Sequence, residues 1–98
     1  MRFTLSRFKS GKEWKMYAIY DNITAEVLSR YSGREWRGGI NEEGEVYSAH
    51  IFGTLEEAVE AREVLNKEFQ DNGDKIDFEI WELREYRVLK VQRVINTF

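Results

Sequence analysis

One segment of this chain reads as a helix, and almost everything else apolar in it reads as strand. The segment is TLEEAVEAREVLNKEFQ, residues 54–70. Thr54 and Glu57 stand at the spacing at which a cap hydroxyl and the N3 carboxylate satisfy each other's orphan backbone amides. Glu56, Glu57 and Glu60 favour the positive end of the helix dipole. Leu55, Ala58, Val59, Leu65 and Phe69 recur near helical spacing, and Ala61 and Val64 widen that stripe. The stop is DNGD, where Asn72 or Gly73 is able to take the left-handed conformation.

Around this helix the pattern is extended. MRFTLSRF places Phe3 and Leu5 two apart, and KSGK reads as a turn after it. In EWKMYAIYDN, Trp14, Met16, Ala18 and Tyr20 share one face while Tyr17 and Ile19 share the other, as in a central strand. DNIT is the next turn, AEVLSRY the next strand, and VYSAHIF a further one from Val46 to Phe52. KIDFEIWEL is the cleanest strand: Ile76, Phe78 and Ile80 face one way, Asp77, Glu79, Trp81 and Leu83 the other. EYRVLKVQRVI is a final strand by its Val88, Val91, Val94 and Ile95, with a helix as second choice. Residues 32–45, SGREWRGGINEEGE, hold four glycines and form the longest irregular stretch, a mobile loop.

The expected fold is therefore α+β: a mainly antiparallel five- to six-stranded sheet with one amphipathic helix on one face, in the order β-β-β-loop-β-α-β-β. With 98 residues, 42% of them apolar, this is a single domain spanning 1–98. If the strands flanking the helix are parallel neighbours, they cross over right-handed.

A six-stranded sheet is about 25 Å across, from the usual strand spacing. A helix with its side chains is about 10–12 Å wide and covers half of one face. Yet the strands are apolar on both faces, as Trp14 against Tyr17, Ile80 against Trp81 and Val88 against Leu89 show. The remainder needs a cover. The sheet curls into a half-barrel, a second copy docks on it, or a partner does. Trp81 is the pointer, because it shares its face with Asp77 and Glu79. It packs under the long loop against Trp36, or it anchors an interface ringed by acids.

The net charge of −3 is unevenly spread: residues 1–40 carry +4, 41–82 carry −10 and 83–98 carry +3. Within the first block, RYSGREWRGG (30–39) gathers Arg30, Arg34 and Arg37 with Tyr31 and Trp36. Arginines reaching phosphates beside rings that stack on bases would hold a nucleic acid, and Arg2, Arg7, Lys9, Lys12 and Lys15 would extend the patch. Glu35, Glu42, Glu43 and Glu45 subtract from it, and a pI near 5.2 is far from a basic footprint. The competing reading is a hairpin tip whose arginines pair locally with acids. The acids of the helix and the strand after it would in turn fit a basic groove on another protein, or form a solvated face.

Chemistry is hard to place. Ser48 and His50 lie two apart without an orienting carboxylate, so they make no triad. GGINEEG lacks the lysine and hydroxyl of a phosphate loop. DNGDKIDFE has its glycine in the wrong place for a calcium loop. No cysteine is present, which fits a reducing, cytoplasmic setting, and no stretch is apolar enough for a membrane span. The expectation is a non-enzymatic protein-interaction module without cofactor or metal, acting on a partner of unknown identity or as a homodimer. Small size and the lack of cysteine and proline also suit an accessory protein, such as one encoded by a phage. The contact residues are Trp81, Asp77, Glu79, Arg34, Trp36 and Arg37. The alternative is nucleic-acid binding through Arg30, Tyr31, Arg34, Trp36 and Arg37.

Overall fold

The computed structural model describes residues 16–92, with the backbone alone for 89–92. The expected first strand (1–8) and its turn, Trp14, the basic residues up to Lys15, and Val94 and Ile95 lie outside the described residues. The elements are β1 (Met16–Asp21), β2 (Glu26–Val27), β3 (Gly39–Ile40), β4 (Val46–Tyr47), α1 (Leu55–Asp71), β5 (Phe78–Arg84) and β6 (Arg87–Gln92). The class is α+β as expected, but in place of one five- to six-stranded sheet the described residues form a four-stranded antiparallel sheet, β2-β1-β5-β6, and a two-stranded one, β3-β4, whose β3 falls in the stretch expected as loop. The strands either side of α1 are β4 and β5, which are not sheet neighbours, so the crossover question does not arise.

β1 and β5 are the spine, paired from Met16–Leu83 to Asp21–Phe78. Their alternation divides the apolar residues between two clusters. One side carries Tyr17, Ile19, Phe78 and Ile80 into a core with Leu28, Phe52 and Ala58, Ala61 and Leu65 of α1. The other carries Met16, Ala18, Trp81 and Leu83 into a core with Val27 and Val46, flanked by Tyr20, Ala49, Ile51, Tyr86 and Val88.

Among the described residues no helix lies on this second face; the chain's own strands wrap around it. Val27 and Gly38 exchange backbone hydrogen bonds of 2.9 and 3.0 Å, linking β2 towards β3. β3 pairs with β4, and the Val46 amide donates to the Tyr86 carbonyl at 2.6 Å, bringing β4 against the β5–β6 turn. Glu45 and Arg87 form a bridge there, and the Arg87 guanidinium donates to the Glu43 carbonyl at 2.7 Å. Tyr17 and Phe52 also exchange amide bonds, tying the end of the 46–52 segment to β1. The half-barrel is the cover that this fold adopts. At Gly38 a Cβ would stand 2.7 Å from the Ser48 carbonyl and 2.8 Å from that of Tyr47, so the curl closes only around a glycine there. A register shift between Glu82 and Leu83, where β6 carries one residue without a counterpart, adds the local twist that bends the sheet.

The expected strands AEVLSRY and VYSAHIF are shorter than their composition implies. Ala25 and Ser48 take positive φ (63° and 55°), which breaks the ladder at one end of each. The irregular stretch is ordered by hydrogen bonds: Ser29 and Arg30 pair with Glu35, and Asn41 pairs with Glu45.

The helix begins as expected, with the Thr54 hydroxyl accepting from the Glu57 amide at 3.1 Å. The Glu57 carboxylate reaches back one residue further than a standard box, to the Gly53 amide at 3.2 Å. Gly73 (φ +81°) takes the left-handed position at the end, while Asn72 stays right-handed. The buried stripe differs from expectation: Val64 is 40% exposed and Arg62 only 5%. Arg62 stands one turn from Ala58 and from Leu65, so helical geometry carries it inward with them. Its Nε is buried without a hydrogen-bond partner, and burial lowers its pKa from the usual arginine value.

Candidate functional site

The expected contact residues fall on two sides of the sheet. Residues 29–37 form a small hairpin against the C-terminal half of α1. The Arg30 and Glu35 backbones exchange bonds, and their side chains pair at 3.2 Å. Arg34, at φ +53°, turns its guanidinium onto Glu68 of α1 with two bonds of 2.8 and 2.7 Å. It also donates to the Tyr31 carbonyl and lies 4.5 Å over the Tyr31 ring. That bidentate bond raises the Arg34 pKa and holds the Glu68 carboxyl below the ordinary carboxylate range. Trp36 stacks on Phe78 at 5.3 Å and meets Phe69 edge-on at 6.3 Å, its Nε1 buried and unpartnered. Arg37 alone of the three arginines has no ion-pair partner among the described residues; its amide donates to Ser29 Oγ. The hairpin's rings are thus built into the helix-side core, and two of its arginines pair with acids.

Trp81 lies on the opposite side, inside the curl. It is 6% exposed and stacked on Tyr20 at 4.3 Å, and its Nε1 donates to Glu79 Oε1 at 3.1 Å. The sequence pattern makes this face look wet because Glu79 shares it. In the fold Glu79 is itself buried at 8% and serves as the indole's acceptor. Trp81 is therefore not a surface anchor, and it does not pack on Trp36, which lies across the sheet. Asp77 is half-buried at the mouth of β5, its carbonyl accepting from the Asn22 amide at 2.9 Å.

The surface offers a concavity that pattern reading does not point to. Between α1 and the 29–37 hairpin is a groove of about 280 Å³ lined by Tyr31, Phe52, Glu57, Glu60, Ala61 and Val64. Positions 57, 60, 61 and 64 lie on one strip of the helix, since residues three and four apart are neighbours there. Phe52 and Ala61 are buried and form the floor; Tyr31 and the exposed Val64 form walls; the exposed Glu57 and Glu60 stand at the rim. His50 supports this wall, its ring 4.7 Å from Phe52 and 6.0 Å from Tyr31. The available signal was Val64, an apolar residue on the acidic strip Glu57–Glu60, which the core stripe absorbed when the helix was read alone.

Chemically, the groove combines an apolar floor with carboxylates that carry no ion pair among the described residues. Those residues contain no cluster of three or more metal-binding side chains and no helix long and apolar enough to cross a membrane. No protein-family model matches the chain, and no curated protein or solved structure is significantly similar to it.

Proposed function

We propose that this chain is a non-enzymatic interaction module that occupies a surface of a partner protein, and that it does so through the α1–hairpin groove. The carrying observation is the groove itself, a concavity with an apolar floor beside an exposed valine, next to a sheet that buries an apolar cluster on each face among the described residues. Concave apolar sites with a few placed polar groups are where binding concentrates. The proposed contact residues accordingly move from Trp81 and Glu79 to Tyr31, Glu57, Glu60 and Val64, with Arg34 positioning Tyr31 from Glu68.

The nucleic-acid alternative has less support. Arg34 would have to leave Glu68, and the Tyr31 and Trp36 rings would have to leave their packing before they stacked on bases. Self-association through Trp81 loses its motive with that ring inside the curl.

The test is photo-crosslinking from a benzoylphenylalanine placed at Val64, with a second probe at Ile40 on the far side, in a lysate of the source cells. The reading expects a discrete adduct from position 64 that Glu60→Lys removes. Adducts from position 40 alone would overturn it. Labelled oligonucleotides bound at low salt, in a manner abolished by Arg37→Ala, would replace it with the alternative.

A further inference from the structure

Resting on that interaction reading, we infer that the groove's occupant is a lysine side chain presented by the partner protein. A lysine has two parts, an aliphatic stem that covers apolar surface and a charged tip that seeks polar partners. The groove has the matching halves: Phe52, Ala61 and Val64 for the stem, and Glu57 and Glu60 for the ammonium. An all-apolar occupant would strip water from two carboxylates with nothing in return. An anionic one would meet them head-on, with the exposed Glu56 and Glu63 close behind on the same helix. Arg34, which lies over the lining residue Tyr31, does not oppose the ammonium, because Glu68 holds it at 2.7 Å.

Size and geometry narrow the choice further. At about 280 Å³ the space suits one side chain; small-molecule sites begin near that volume and run larger. One Glu57 oxygen already accepts from the Gly53 amide at 3.2 Å, so this carboxylate no longer offers two free oxygens to a planar fork. Arginine gains its advantage from a planar fork that takes both oxygens of one carboxylate. Two separate carboxylates, one of them half-used, are better satisfied by the three divergent donors of an ammonium.

The experiment is a titration of the isotope-labelled full chain, followed by its amide resonances, with short peptides that alternate serine with lysine, acetyl-lysine, arginine or norleucine. The lysine peptide is expected to move the amides of Tyr31, Phe52, Glu57, Glu60, Ala61 and Val64. Its affinity is expected to fall about tenfold on acetylation and again in Glu60→Gln, about 1.4 kcal/mol for each step. The acetylation arm leaves the protein untouched, so a misfolded variant cannot mimic the result. Equal or tighter binding of the norleucine or arginine peptide overturns the lysine assignment, and so does the absence of any shift in the groove. The Val64 crosslink is read separately: if it persists while the lysine peptide fails, the interaction reading stands and the occupant is wrong. If the crosslink is also lost, the reading itself falls.

Discussion

The two faces of the β1–β5 pair are sheltered by different devices. One receives an external cover, the amphipathic helix, whose Ala58, Ala61 and Leu65 settle onto Ile19, Phe78 and Ile80. The other is closed by the sheet's own margins, which bend round until β4 meets the β5–β6 turn. A helix brings its backbone hydrogen bonds with it, so its cover is secure wherever its stripe fits. A curl depends on a handful of isolated bridges, such as Val27–Gly38 and Glu45–Arg87, and on the packing that draws them together. The helix side tolerates loose ends, with Trp36 Nε1 and Arg62 Nε both buried without partners. The curl's indole is satisfied by Glu79. The lesson is that the self-closed face is the more interdependent of the two.

The largest expected effect follows from that difference. Trp81→Ala removes the largest described side chain of the curl and the indole bond to the buried Glu79; it is expected to lower unfolding stability by about 3–5 kcal/mol in urea titration. Hydrogen exchange should show the Val46 and Gly38 amides losing protection well before those of α1. Leu65→Ala, on the helix side, is expected to lower stability by about 3 kcal/mol while Val46 and Gly38 keep their relative protection. If both variants loosen both sides equally, the contrast between the two covers is wrong.

Arg62→Met sharpens the comparison from the other direction. A guanidinium 5% exposed and without an ion pair among the described residues is a burden, and an unbranched apolar replacement is expected to raise stability by about 1 kcal/mol. A loss of similar size would mean that Arg62 has a positioning role. On the curl side, Glu85 and Tyr86 both hold positive φ (50° and 67°) in the two-residue turn between Arg84 and Arg87. Turns of this kind favour asparagine or glycine. Glu85→Asn is therefore expected to raise unfolding stability by about 0.5–1 kcal/mol through relieved strain, read as a higher thermal midpoint.

The smallest effect concerns the Arg34–Glu68 pair that ties the hairpin to α1. Because the folded Glu68 carboxyl lies below its unfolded value, the pair stabilises the fold above about pH 4.3 and loses that contribution as pH falls through the lower, folded value. Both side chains are partly open to water, so the effect is expected to shrink with salt. Acid unfolding curves of the parent and Glu68→Gln should differ above the transition and converge below it; parallel curves would mean that the pair adds nothing.

Much of this was legible in the residues. The Thr54 cap, the helix, the alternation of β1 and β5 and the final strand are local, set by hydrogen-bonding chemistry and periodicity within a few positions. The need for a second cover was legible too, since apolar residues stood on both faces of the spine. Other features were hidden because they depend on distant partners. The 85–86 turn carries no glycine or asparagine to announce it, and Glu79 beside Trp81 imitated a wet face because its acceptor role is visible only in three dimensions. The candidate groove was invisible for a similar reason. Its wall, Tyr31, comes from a hairpin that Arg34 pins to the helix, and its Val64 was read as core.

By itself the amino-acid order determined which side chains share a face, where the one helix starts and stops, and that one helix is too narrow for the layer it lies on. Only the tertiary structure decided what closes the other face, that the side carrying Glu79 and Trp81 is buried, and which arginine lies buried. Periodicity is a property of neighbours along the chain, whereas burial belongs to whatever the fold brings alongside.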